Sequence, residues 1–118
     1  MGIQVGDPVS IDYPVIELGK HRVGGKAMDD RALVFMLIEV LKMLKDEDDT
    51  PDLYAVFTTQ EEAGATDASF IQTLNGGIRS GGIQIPMRYV HSYEVVDVRD
   101  MVNCIELLYH FIKKTEVI

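Results

Sequence analysis

The chain has 118 residues, 47% apolar and 25% charged, a balance that fits a soluble globular domain and excludes a disordered or fibrous polymer. That length suits one domain with its own core and not two of ordinary size. A formal charge of −8 opposes a nucleic-acid partner, because neutralising phosphate requires clustered lysine and arginine.

Residues 5–15 carry Gly6, Pro8 and Pro14 around the alternating Val9-Ser10-Ile11-Asp12-Tyr13, which predicts a short strand between turns. From residue 30 to 45 the apolar spacing becomes helical. Asp30 is placed to cap the start, and Lys42 and Lys45 lie near the end, where the helix dipole favours cations. The middle of this helix is apolar on nearly every side, so a sheet on one face and a further element on the other are expected. Residues 46–52 read as an acidic, solvated connector containing Pro51. Residues 53–59, Leu-Tyr-Ala-Val-Phe-Thr-Thr, are β-prone without alternation and predict a strand buried on both faces. Residues 66–74 predict a short helix stopped by Asn75-Gly76-Gly77, and residues 82–86 begin another strand. A last helix is expected over residues 97–113. Asp97 and Asp100 resemble a capping box there, and Val98, Met101, Ile105, Leu108 and Ile112 fall on an apolar stripe. Cys104 lies inside it, read as a small buried apolar residue, and a lone cysteine fits a reducing compartment. Alternating strands and helices imply an α/β fold with helices packed on a largely parallel or mixed sheet, as a single domain over residues 1–118.

No basic segment followed by an apolar run opens the chain, and the longest purely apolar run, residues 32–38, is far short of the roughly 20 residues a membrane helix needs. A cytoplasmic protein with no membrane partner is the expectation.

Chemistry in an open α/β sheet gathers where strands end and loops begin. Three clusters stand at such junctions: Asp29-Asp30 before the first helix, Glu61-Glu62 after the run ending at Thr59, and His91 after Arg88-Tyr89-Val90. Two carboxylates and an imidazole from separate elements suit a divalent ion of the zinc type, with Glu61 left for proton transfer. Each cluster also has a plain structural reading. Adjacent acids before a helix complement its dipole, and a lone histidine is more often a hydrogen-bonded structural one. The Glu61-Glu62 pair is more telling, since carboxylates directly after a buried strand are costly unless partnered. His21 and His110 have no acidic companions at ligand spacing. There is no Gly-x-Ser-x-Gly elbow, and the glycine pairs at 24–25, 76–77 and 81–82 form neither a phosphate loop nor a dinucleotide fingerprint.

The motifs Gly25-Lys26-Ala27-Met28-Asp29-Asp30-Arg31, Gln60-Glu61-Glu62-Ala63-Gly64 and Ile85-Pro86-Met87-Arg88-Tyr89-Val90-His91-Ser92 together resemble those of the tetrahedral glutamyl or deblocking aminopeptidases, some of which carry cellulase labels. Ile3 to Asp12 and Thr66-Asp67-Ala68 match as well. The resemblance implies an exopeptidase that removes N-terminal residues from peptide substrates with two zinc or cobalt ions, built on a reduced α/β/α core. By resemblance, Asp29 is the bridging ligand, Glu62 and His91 complete one metal's shell, and Glu61 is the general base. An early His-x-Asp motif and a later Asp, the family's ligands for the other metal, are not found. That implies a shortened member with at most one metal position, a flank of a missing insert domain over residues 1–24, a core over 25–118 and a deletion near 64–66. Lost strands leave apolar faces and edges, so self-association is expected. A non-catalytic structural or interaction module retaining the family core is the alternative. Glycan hydrolysis ranks last, for want of a carboxylate pair to flank a sugar.

Overall fold

The computed structural model describes residues 2–58 and 72–115. Strand β1 (Ile16–Leu18) turns into β2 (Arg22–Gly25) through Gly19-Lys20-His21, where Gly19 takes a φ of 70° that a side chain would disfavour. β2 then pairs with β4 (Glu94–Asp97), whose far side accepts the two-residue β3 (Met87–Arg88). The sheet order is β1-β2-β4-β3, and every pairing is antiparallel. The α/β class stands, but the expected parallel or mixed sheet does not. The reason lies in the connections. β1 reaches β2, and β3 reaches β4, through short reversals that only antiparallel neighbours permit.

Helix α1 (Arg31–Leu44) and helix α2 (Val98–Lys114) fall within a residue of the expected ranges. α2 begins directly from β4. Asp97 closes the strand and caps the helix, its carboxylate accepting from the Arg99 N–H at 3.1 Å, while the Val98 N–H donates to the His21 carbonyl at 2.7 Å and pins the helix start to the β1–β2 turn. α1 has Asp30 at its cap position without a capping bond from the side chain.

Ala32 and Met36 of α1, Ile85 and Val96 of β4 form one buried cluster, and Met101, Cys104 and Ile105 of α2 pack against it. Tyr109 and Lys113 of α2 reach across to Glu47 beyond α1, each at 3.0 Å, so the acidic connector is partly fastened rather than simply solvated.

Three strand expectations fail. Residues 53–58 join no sheet, and Tyr54 is 88% and Phe57 50% exposed; Thr59 lies outside the described residues. Residues 5–15 and 82–86 are likewise not strands, although Ile85 is buried. The glycine stop is where it was expected, with a 3₁₀ turn at Leu74–Gly76 and the Gly77 N–H donating to the Leu74 carbonyl at 2.9 Å; residues 66–71 lie outside the described residues.

Unmet burial shows in the dimensions. A compact chain of this length has a radius of gyration of about 13.5 Å, against 17.7 Å here. The accessible surface is 9811 Å², where a compact monomer of this mass exposes about 6,400 Å².

Candidate functional site

Along β4 the side chains alternate, and the period of two puts Glu94 on the same buried face as Val96. Glu94 is only 2% exposed, and a buried carboxylate needs partners. Among the described residues three backbone donors meet it. Oε2 accepts from the Met28 N–H and, at 3.1 Å, from the Asp29 N–H, while Oε1 accepts from the His91 N–H at 3.0 Å. One side chain thereby joins the loop that precedes α1 to the loop that precedes β4.

Both loops hold unusual backbone. Ala27, Tyr89 and His91 have φ values of 53°, 60° and 66°, left-handed conformations that cost non-glycine residues about 1–3 kcal/mol and persist only where surroundings impose them. Arg31 is one such constraint: its guanidinium folds back to donate to the carbonyls of Ala27 at 2.6 Å and Lys26 at 2.8 Å. A turn closes the other loop, with the Ser92 N–H donating to the Tyr89 carbonyl at 3.0 Å.

Asp29 and His91 therefore come to one patch. The Asp29 carboxyl is held above the usual carboxylate range, first by a hydrogen bond shared with Asp30, then by burial and by the negative charges of Asp30 and Glu94; His91 pulls the other way. Carboxyl groups crowded beside an imidazole make a donor set whose mutual repulsion a divalent cation would relieve. Among the described residues no group of three or more His, Cys, Asp or Glu is arranged to hold a metal. Glu61 and Glu62 lie outside the described residues.

Sequence reasoning placed Asp30 beside Asp29 in a candidate cluster but passed over Glu94 as part of this patch. The signal for Glu94 was present: in Glu94-Val95-Val96-Asp97 it shares the face of Val96, and a carboxylate on a core face must be bound to something. Asp30 was read as a cap, but its carboxyl engages Asp29. His110 stacks edge-on against Tyr109 on α2, in keeping with a structural role, and Cys104 is half-buried against the core.

The profile of the M42 glutamyl aminopeptidases matches residues 1–66 and 62–107, which include all three motifs. The chain belongs to that family. A curated protein of Acetivibrio thermocellus, provisionally named an aminopeptidase, is 48% identical over 48 residues, or 40% of this chain and 14% of that protein. An aminopeptidase from the archaeon Desulfurococcus kamchatkensis superposes with a TM-score of 0.67 at 23% identity, covering 88% of this chain and 52% of its own. At that identity the likeness is one of fold. The M42 chain described here thus spans about half the length of its solved relative and a smaller part of the curated one.

Proposed function

We propose that this M42 chain is a shortened metal-dependent aminopeptidase domain, acting on the N-terminal residue of peptides. The observation that carries the reading is the meeting of Asp29 and His91, from loops far apart in sequence, over the buried Glu94 carboxylate. With Glu62, these two would hold one zinc or cobalt ion, which when bound supplies positive charge that acidifies water and polarises a peptide carbonyl. Glu61, directly before Glu62, would take the proton from the attacking water and return it to the departing amine. The crowded acids around Asp29 support a cation there rather than a purely structural cluster.

Residues 1–118 are read as one shortened domain, with 1–24 the flank of an absent insert and 25–118 the core. The two matched stretches meet over residues 62–66, which supports a deletion near 64–66. A large exposed apolar surface supports self-association. No described helix is long and apolar enough to cross a membrane, and the cysteine content and charge support a cytoplasmic protein without a nucleic-acid partner.

A second reading is favoured by the half-length match: an interaction module that keeps the family core without catalysis. Zinc titration followed by an aminopeptidase assay separates the two. Glu61→Gln is expected to keep zinc affinity and lose peptide cleavage. Zinc binding without cleavage by the unaltered chain supports the module, and cleavage unaffected by Glu61→Gln refutes the assignment of the base.

A further inference from the structure

We propose that Glu94 is a positioning residue that makes the Asp29 and His91 loops a single unit, so that neither donor can be placed without the other. For the identity of the ion the proposal rests on the functional reading above; for the coupling it does not.

Glu94 sits on the central pair of strands, paired through its backbone to β2, so its own position is set by the sheet. Its two oxygens are then divided. One accepts from the consecutive N–H groups of Met28 and Asp29, which fixes the direction in which the chain enters Asp29. The other accepts from the N–H of His91 itself. Both donors are thus tied at their own main-chain atoms to one rigid group only two bonds wide. The left-handed residues Ala27, Tyr89 and His91 flank these contacts, so loosening the carboxylate frees the conformations that aim the side chains. Nothing in this arrangement requires Glu94 to touch the ion, and its burial beneath the two loops argues that it does not. Groups that orient metal ligands from behind typically change metal affinity by about 10–100-fold when altered.

Glu94→Gln is the informative change. It keeps the volume and one acceptor oxygen but replaces the other with an NH₂, which sets donor against donor at either His91 or the Met28 and Asp29 pair. Zinc titration of the full chain is expected to show affinity reduced by about 10–100-fold, together with faster amide exchange at the released loop and unchanged protection at Val40 in α1. Val95→Ala, on the opposite face of the same strand, is expected to leave zinc affinity unaltered. Affinity within twofold of the unaltered chain overturns the proposal. So does loss of protection at Val40 in step with the loops, which would make Glu94 a fold determinant and not a positioning residue. Should Glu94→Gln fail to fold, the unaltered protein still decides: the amides of Met28, Asp29 and His91 are expected to exchange more slowly than that of the exposed Val9, and equally fast exchange overturns the coupling. Absence of zinc binding by the unaltered chain refutes the functional reading alone, because amide protection tests the brace without any ion.

Discussion

The ring of Tyr93 lies over Gly24 so closely that a β-carbon at Gly24 would stand 2.8 Å from Tyr93 Cε1, nearer than real side chains approach. The Tyr93 hydroxyl donates to the Pro14 carbonyl at 3.0 Å, and its ring meets Tyr13 edge-on with centroids 5.0 Å apart. Tyr93 therefore binds the segment before β1 to β2. Gly24→Ala is expected to force the ring aside and destabilise the chain by about 1–3 kcal/mol, the usual cost of overpacking. Urea unfolding checks this, and an unchanged midpoint would contradict the contact.

Val40 is the side chain on α1 that is wholly buried. Val40→Ala removes two methyl groups, each worth about 0.8 kcal/mol of transfer plus a cavity contribution. A loss of about 2 kcal/mol is expected by thermal unfolding. Phe57→Asp makes the contrast. A buried strand at residues 53–59 would make that change ruinous, but Phe57 is half exposed in the isolated chain, so the monomer's stability is expected to move by no more than about 0.5 kcal/mol.

Those two residues show what the sequence could and could not reveal. Helical periodicity is a local property, and it located α1 and α2 within a residue. A continuous apolar run such as 53–58 reports only that burial is required; it does not say what would provide it, and no described element does. The sheet was misjudged because its strands are only two to four residues long, too short for a period of two to stand out. The motifs singled out Asp29 and His91, and the fold brings their loops to one patch. Glu94 left a trace as a carboxylate on the face of Val96, but its partners did not, because it is bound through their backbone atoms, which leave no mark on residue identity.

Acid stability is expected to depend on Glu47. Its carboxyl lies below its ordinary value of 4.5, held there first by Lys113 and then by Tyr109. A carboxyl with a folded pKa below the unfolded one stabilises the fold above about pH 4.5, and that contribution is lost as pH falls through the folded pKa. Lys113 is raised above 10.5 by the same contact, so its contribution persists below that value and fades as pH rises through the higher folded one. Asp29 has the opposite sign to Glu47: its raised pKa opposes folding when ionised, and acidification relieves it. Glu47→Gln is expected to lower stability at pH 7 and to converge with the unaltered chain once pH falls below the depressed folded pKa of Glu47. Parallel pH profiles for the two proteins would contradict the Glu47 contact.

Self-association is expected to draw on residues such as Phe35, Ile38 and Phe111, apolar helix positions left 40–64% exposed. Sedimentation velocity is expected to show concentration-dependent association that Phe35→Lys weakens. A monodisperse monomer at all concentrations, with the same compact hydrodynamic radius for both proteins, would contradict it.

The central claim is that Asp29 and His91 share one divalent-ion position. Calorimetric titration of zinc into the unaltered chain, Asp29→Asn and His91→Ala tests it most directly. The account predicts one zinc per unaltered chain and at least a tenfold loss of affinity in each variant, consistent with removal of a direct ligand. Equal zinc affinity in the unaltered chain and His91→Ala would contradict it.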